Sequence, residues 1–389
     1  MTTEPAVSGW CDPRFAAVRS EFSTNFQERG ELGAAVCVSV HGRVVVDLCG
    51  GWRDSARRQP WTPDTLVNVF SVGKGLLAAC AARLVGERRL DPDAPVARYW
   101  PEFAAAGKAD VTVRELLSHQ AGVPAIREPL PAGSALDWPL MTRMVAGEAP
   151  WWARGSGHGY HVNTFGFAVG ELIRRITGMT PGGFLARELA GPLGADVHIG
   201  LAAHEHSRVA EFLWASGDAS RPVGADAERL DGTAGDQMAL LAYVNPPDFS
   251  GFGVVNTAPW RSAQIPSANA HASAAGVARF YAALAAGGSL DSCRVVADTA
   301  LTGATEEQVY GTDLVLHRPS RFGLGFQLTH TERPLGRGPR CFGHFGAGGS
   351  VGFGDPDVGL AVGYVTSQMG PRWRNPRNRA LMDACYDGL

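Results

Sequence analysis

Val69-Phe70-Ser71-Val72-Gly73-Lys74 leads into a run, residues 71–88, in which Leu76, Leu77, Cys80, Leu84 and Val85 fall on one face of a helix. A serine at the head of a helix and a lysine three residues on are neighbours, with Cβ atoms about 5–6 Å apart. The amine therefore reaches the hydroxyl. The helix start adds unpaired N–H groups and a partial positive charge, which favour an attacking serine and the oxyanion that follows. A lysine held out of water there loses affinity for its proton and can act as a base. S-x-x-K by itself is common, and taken alone Ser71 reads more readily as an N-cap followed by a surface lysine. The surrounding chain has to decide.

Upstream, Phe15, Val18, Phe22 and Phe26 are spaced by three and four within residues 14–30, an amphipathic helix after Pro13. Residues 33–50 hold two β-branched runs around His41-Gly42, the pattern of a hairpin. From about 90 to 290 helical pieces (Val113–Ser118, Thr164–Thr177, Ala272–Ala286) alternate with Gly/Pro/Ala/Asp segments, and 216–270 reads as loop-rich and aromatic. Strand-like runs return at 322–330, 341–354 and 358–366, and a helix from Pro376 to Cys385 closes the chain. Strands at both ends flank a mainly helical middle. That predicts an α+β fold with one antiparallel sheet built from both chain ends and flanked by helices. Its sheet domain is discontinuous, 1–90 and 290–389, with 91–289 as a mainly helical insert and the active site at their interface.

Composition narrows the function. The 389 residues suit two to three structural units, and 45% hydrophobic residues supply a sizeable core. Lys+Arg 35 against Asp+Glu 38 leaves a net charge of −3, which argues against a nucleic-acid partner. No window is long and apolar enough for a membrane span. Met1–Pro13 carries neither a basic run nor an apolar stretch, so the expected compartment is cytoplasmic. Seven scattered cysteines without a CxxC pair fit reduced, packed thiols. His204-Glu205-His206 is the one tight histidine cluster and lacks a third ligand, and no nucleotide-binding motif is present. Neither metal nor organic cofactor is expected.

Two further segments carry chemistry. Tyr160 sits in the Gly-rich, aromatic stretch WWARGSGHGYHVNTFG just before a helix, where a phenol near an ammonium can shuttle protons. Phe342-Gly343-His344-Phe345-Gly346-Ala347-Gly348-Gly349 lies in a strand-like region whose glycines admit a ligand to the backbone and whose N–H groups can serve an oxyanion. One match misleads: Gly348-Gly349-Ser350-Val351-Gly352 fits G-x-S-x-G, the nucleophile elbow. That elbow needs a following helix and a later histidine, and His344 is the last histidine of the chain.

S-x-x-K near 71, Leu116-Leu117-Ser118-His119-Gln120-Ala121-Gly122-Val123, Gly159-Tyr160-His161 and Gly343-His344-Phe345-Gly346 together resemble the serine β-lactamase and penicillin-binding-protein superfamily. The resemblance is to the class C-like branch, including the family VIII carboxylesterases, and runs from about residue 14 to 385. It implies the β-lactamase/transpeptidase-like fold. It also implies Ser71 as acylated nucleophile, Lys74 and Tyr160 as the proton-handling pair, and the backbone N–H groups of Ser71 and Ala347 as oxyanion hole. His344-Phe345-Gly346 takes the place of the family's Lys-Thr-Gly triplet as substrate-binding segment. His119 is expected to be structural, and His158, His161 and Arg154 flank Tyr160.

Departures from the lactamase pattern point to esters. Val162 stands where the family's Tyr-x-Asn carries asparagine, with Asn163 displaced by one. An imidazole at 344 is a weaker anion clamp than lysine at pH 7. The aromatic residues Trp151, Trp152, Trp214, Phe249, Phe252 and Trp260 suit an apolar acyl or alcohol pocket, with Trp152 as the substrate-binding candidate. The expected activity is a serine carboxylesterase taking small or medium acyl esters through an acyl-enzyme on Ser71. An acyltransferase, a β-lactamase or amide hydrolase, and a non-catalytic ligand sensor are the rival readings on the same scaffold. Oligomeric state, including a homo-oligomer, stays open.

Overall fold

A computed structural model describes residues 7–214 and 234–389. Parts of the Met1–Pro13 and 216–270 readings lie outside the described residues. Among the described residues a nine-stranded antiparallel sheet organises the chain. β1 (Ser8–Cys11), β3 (Arg43–Gly51) and β2 (Gly33–Val40) form one side. The order continues through Leu360–Thr366, Val351–Asp355, Phe342–Phe345, Gln327–Leu328, Pro319–Phe322 and Val309–Thr312. β2 and β3 are joined by His41-Gly42, both at positive φ (48° and 78°), the backbone twist that tight hairpins favour. The two chain ends meet where β2 pairs with Leu360–Thr366, in register from Val40↔Leu360 to Ala34↔Thr366.

Strand alternation divides the core into two layers. Ala34, Val36 and Val38 face the cluster made with Phe15, Val18 and Phe22 of α1 (Ala16–Glu28) and Leu381 and Met382 of the helix Pro376–Asp387. Ala35 and Cys37 face the opposite cluster, with Leu76, Leu77 and Cys80 of α2 (Val72–Gly86) and Val277 and Tyr281 of the helix Ala274–Ala285. That last helix falls within 91–289 yet covers the sheet. A Cβ on Gly363 would stand 2.3 Å from Ala274 O, and one on Gly352 2.5 Å from a Tyr281 ring carbon. Gly363→Ala is therefore expected to destabilise the fold by about 1–3 kcal/mol, read as a lower thermal midpoint.

The α+β architecture with an antiparallel sheet drawn from both ends is the one the sequence indicates. The expected strand 322–330 is instead the end of Pro319–Phe322, a turn, and the two-residue strand Gln327–Leu328, and a small second sheet joins Val67–Asn68, Ala270–Ala272 and Val197–Ile199. The edge strands Ser8–Cys11 and Val309–Thr312 were not foreseen, because they are short, largely exposed and lack apolar alternation. Within the supposedly loop-rich 216–270, residues Ala234–Val244 form a helix. Met238, Ala239, Ala242 and Tyr243 supply its buried face. All seven cysteines are free thiols. No described helix is long and apolar enough to cross a membrane.

Candidate active site

Ser71 stands at the N-cap of α2, directly after Phe70, which adopts a left-handed φ of 47°. α2 is buried on nearly every side, as a helix apolar all round must be. Lys74 is carried inward with it and is fully buried. Its Nζ donates to Ser71 Oγ at 3.0 Å and to the Ser267 carbonyl at 3.3 Å. Ser71 Oγ donates to the same carbonyl at 3.4 Å. Gly73 makes this approach possible: a Cβ there would lie 2.3 Å from Pro266 O. On the other side of that segment, a Cβ on Gly166 would lie 2.6 Å from Ser267 N. Two glycines on two helices thus let the 266–267 backbone wedge in beside the amine. Burial drives the Lys74 pKa well below its ordinary value. A dry amine in this position can take the serine proton.

Tyr160, also fully buried, stands over this pair, with Lys74 Nζ 4.8 Å from its ring centroid. Its hydroxyl lies 3.4 Å from His344 Nε2. His344 Nδ1 donates to the Phe345 carbonyl at 2.6 Å, which leaves Nε2 as the acceptor and the tyrosine as the donor. Burial, together with the Lys74 charge, pushes the His344 pKa down to about 3, so the imidazole is neutral at pH 7. Burial likewise raises the Tyr160 pKa well above its ordinary value, opposed by a hydrogen bond with Ser71. Tyr160 therefore rests as a protonated phenol, a proton donor in reach of the serine.

The turn after Phe342–Phe345 completes the floor. Gly346 lies so close to the strand leading into Ser71 that a Cβ would meet Val69 O at 2.2 Å. The next residues are clamped from beneath: Gly348 O accepts from Arg377 Nη2 (3.2 Å) and Asn375 Nδ2 (3.1 Å), and Gly349 O from Asn378 Nδ2 (2.9 Å). A buried ion pair, Arg377–Glu31 at 3.0 Å, holds the clamp. Ser71 and Ala347 both line one narrow, open pocket. Phe70, Trp214, Phe252, Tyr243 and Trp373 form its aromatic wall, with Asn163 and Ser250 as polar groups. The Trp214 and Phe252 rings stack at 4.2 Å. No lysine or arginine is among the described residues lining it.

The structure thus brings Ser71, Lys74, Tyr160, His344 and Ala347 together, and it parts several of the other candidates from the pocket. Trp152 does not line it: this ring packs on Gly159, where a Cβ would lie 2.9 Å from it, and on His161. Phe345 points through the sheet into the terminal-helix core, because strand alternation turns it away from His344. His344 and Gly346 lie beneath the pocket rather than on its wall. Of the aromatic residues singled out, Trp214 and Phe252 reach the pocket. Trp260 is core, its indole donating to Asn68 Oδ1 at 3.0 Å, and Phe249 is core as well. Val162 and Asn163 both line the pocket, so the displaced asparagine still reaches it. His119 is buried in a ring cluster and accepts from the His161 N–H at 3.1 Å. Arg154 pairs with Glu115 at the surface. Ser350 of the false elbow is buried and accepts from Thr366 N at 3.3 Å. Sequence reading missed Ser267, Tyr243 and Trp373. None belongs to a short motif, and each reaches the site through tertiary packing alone.

Residues 19–385 match the Beta-lactamase family. The chain is 35% identical over 372 residues to the "Esterase/beta-lactamase LipL" of Mycobacterium tuberculosis, an alignment spanning 93% of this chain and 83% of that protein. Among solved structures, a family VIII carboxylesterase superposes with a TM-score of 0.90 at 37% identity, over 99% of this chain and 100% of the other. A penicillin-binding-protein homologue from Caulobacter crescentus also gives 0.90, at 39% identity over the same shares. A buried lysine against a helix-capping serine, on a sheet closed by both chain ends, is thus set in a scaffold matched along nearly its whole length, and the chain belongs to the beta-lactamase family.

Proposed function

We propose that this serine hydrolase is a carboxylesterase acting on small or medium acyl esters through an acyl-enzyme on Ser71. The observation that carries the reading is the dry Lys74 amine 3.0 Å from the Ser71 hydroxyl. Ser71 Oγ attacks the ester carbonyl as its proton passes to Lys74 Nζ. The oxyanion is met by the N–H groups of Ser71 and Ala347. The proton returns to the departing alkoxide through the Tyr160 hydroxyl, and the alcohol leaves. Water then attacks the acyl carbon, gives its proton to the same relay and releases the acid with Ser71 restored. An ester is favoured over a carboxylate-bearing β-lactam by the aromatic wall and by the neutral His344, which offers no fixed cation. The esterase names among the relatives support the same choice.

The test is intact-protein mass spectrometry with p-nitrophenyl butyrate and, separately, nitrocefin, while each chromophore is followed. Rapid ester turnover with slow nitrocefin hydrolysis is expected, and the opposite ranking would make this a β-lactamase. A stable adduct without turnover would point to a sensor. With alcohol present, an ester product in place of acid would point to acyl transfer.

The pH profile follows from the burial of Lys74. Its neutral form is the base, so kcat/KM is expected to fall as pH drops through the depressed lysine pKa, measured over roughly pH 5 to 9. His344 is already neutral throughout that range and adds no limb. A His344→Gln variant that lost the acid limb would contradict this assignment.

A further inference from the structure

Tyr160 lies on a glycine-rich loop with little regular structure, yet the chemistry needs its hydroxyl fixed. The hairpin between Val309–Thr312 and Pro319–Phe322 supplies the anchor. The Asp313 side chain at its corner is completely buried. Its Oδ1 accepts from Tyr160 N (3.0 Å), Val315 N (2.9 Å) and Leu316 N (2.9 Å). Its Oδ2 accepts from Tyr160 N (3.1 Å) and from Ser320 Oγ (2.8 Å). Ser320 in turn meets His158 Nε2 at 2.8 Å. The bonds to Val315 and Leu316 are a local turn cap of the kind aspartate commonly makes. The bonds to Tyr160 are different: they cross 153 residues of sequence to reach one backbone N–H. Leu314 N donating to His158 O at 3.0 Å ties the same two segments a second time. Gly159 fits between them, since a Cβ there would meet Val315 Cγ2 at 3.0 Å.

We propose that Asp313 is a positioning residue of this site: its buried carboxylate fixes the Tyr160 backbone and so sets where the phenol stands above Ser71. The inference rests on Tyr160 handling the proton of the reaction. Asp313 does not line the pocket and touches no substrate. Its effect on turnover passes through the tyrosine hydroxyl. With the carboxylate gone, a buried N–H loses its acceptor and the loop is free to shift, and a displacement of about 1 Å can cost about 10²-fold in rate.

The experiment is a double-mutant cycle on ester hydrolysis with Asp313→Ala, Asp313→Asn and Tyr160→Phe. Asp313→Ala is expected to lower kcat about 10²-fold with KM nearly unchanged. Asp313→Asn keeps one acceptor oxygen and is expected to lose about tenfold, less than the alanine variant. In the Tyr160→Phe background both losses are expected to vanish, because there is no longer a hydroxyl to position. A merely structural aspartate would cost the same factor in both backgrounds. That result, or native kcat in the Asp313 variants, would overturn the proposal. If Asp313→Ala does not fold, the asparagine variant alone reads the cycle. Tyr160→Phe with native activity is a separate outcome, in which the role of Tyr160 itself fails.

Discussion

Ser71→Ala is expected to remove ester turnover by a factor of about 10⁴ or more, while leaving the fold intact. The hydroxyl makes one long bond to the Ser267 carbonyl and accepts one from Lys74. Its loss leaves Lys74 with the carbonyl still in reach at 3.3 Å, so no buried group is stranded. The thermal midpoint should therefore hardly move. The same protein should show no mass increase with p-nitrophenyl butyrate, since no other serine meets a dry amine among the described residues. Retained turnover, or an adduct elsewhere on the chain, would remove Ser71 from the nucleophile's role.

Lys74→Met gives the second large effect, and it has two signs. Activity should fall by about 10²–10⁴, the range general-base catalysis supplies. Stability should rise. Lys74 is buried without a carboxylate partner among the described residues, so its charged form carries a desolvation cost that an apolar chain of similar shape does not. The gain should depend on pH. The folded-state pKa of Lys74 lies below its unfolded value, so between the two the unfolded chain binds the extra proton and native stability rises with pH. The methionine variant lacks that slope. Its advantage should be largest below the depressed pKa and shrink as pH increases. Thermal melts at several pH values check this, and a variant less stable than native at acidic pH would contradict the account.

Much of the fold was legible because periodicity reports burial. The run of β2 and the run at 358–366 lie inside the sheet, where both faces are covered, and their apolar density marks them as strands. The edge strands escaped notice because an exposed strand has no such pattern to show. Within the site, Ser71 and Lys74 could be read from one turn of helix, since helical geometry fixes their separation. Tyr160 and Ala347 needed the family resemblance, because loops and strand ends carry no period. The limits show at Phe345 and Trp152. A motif places residues in sequence, but alternation in a strand turns Phe345 away from the ligand, and a neighbouring glycine draws Trp152 into packing. Asp313 was invisible for a related reason: its meaning lies in a bond to a residue far along the chain.

The pairing of β2 with Leu360–Thr366 also governs when the protein can work. During synthesis residues 71 and 74 leave the ribosome long before the strand that carries residues 342–345 and the turn at 347. A nascent chain can shape α2 early, but the turn at 347 and the central strands Leu360–Thr366 and Val351–Asp355 do not yet exist. Contacts of such long sequence separation also fold slowly. The Ser71–Lys74 pair therefore lacks His344 and the 347 turn beside it until almost all of the chain has been translated. A break in translation after β2 but before residue 360 yields a product whose β2 edge has no partner strand, open to aggregation.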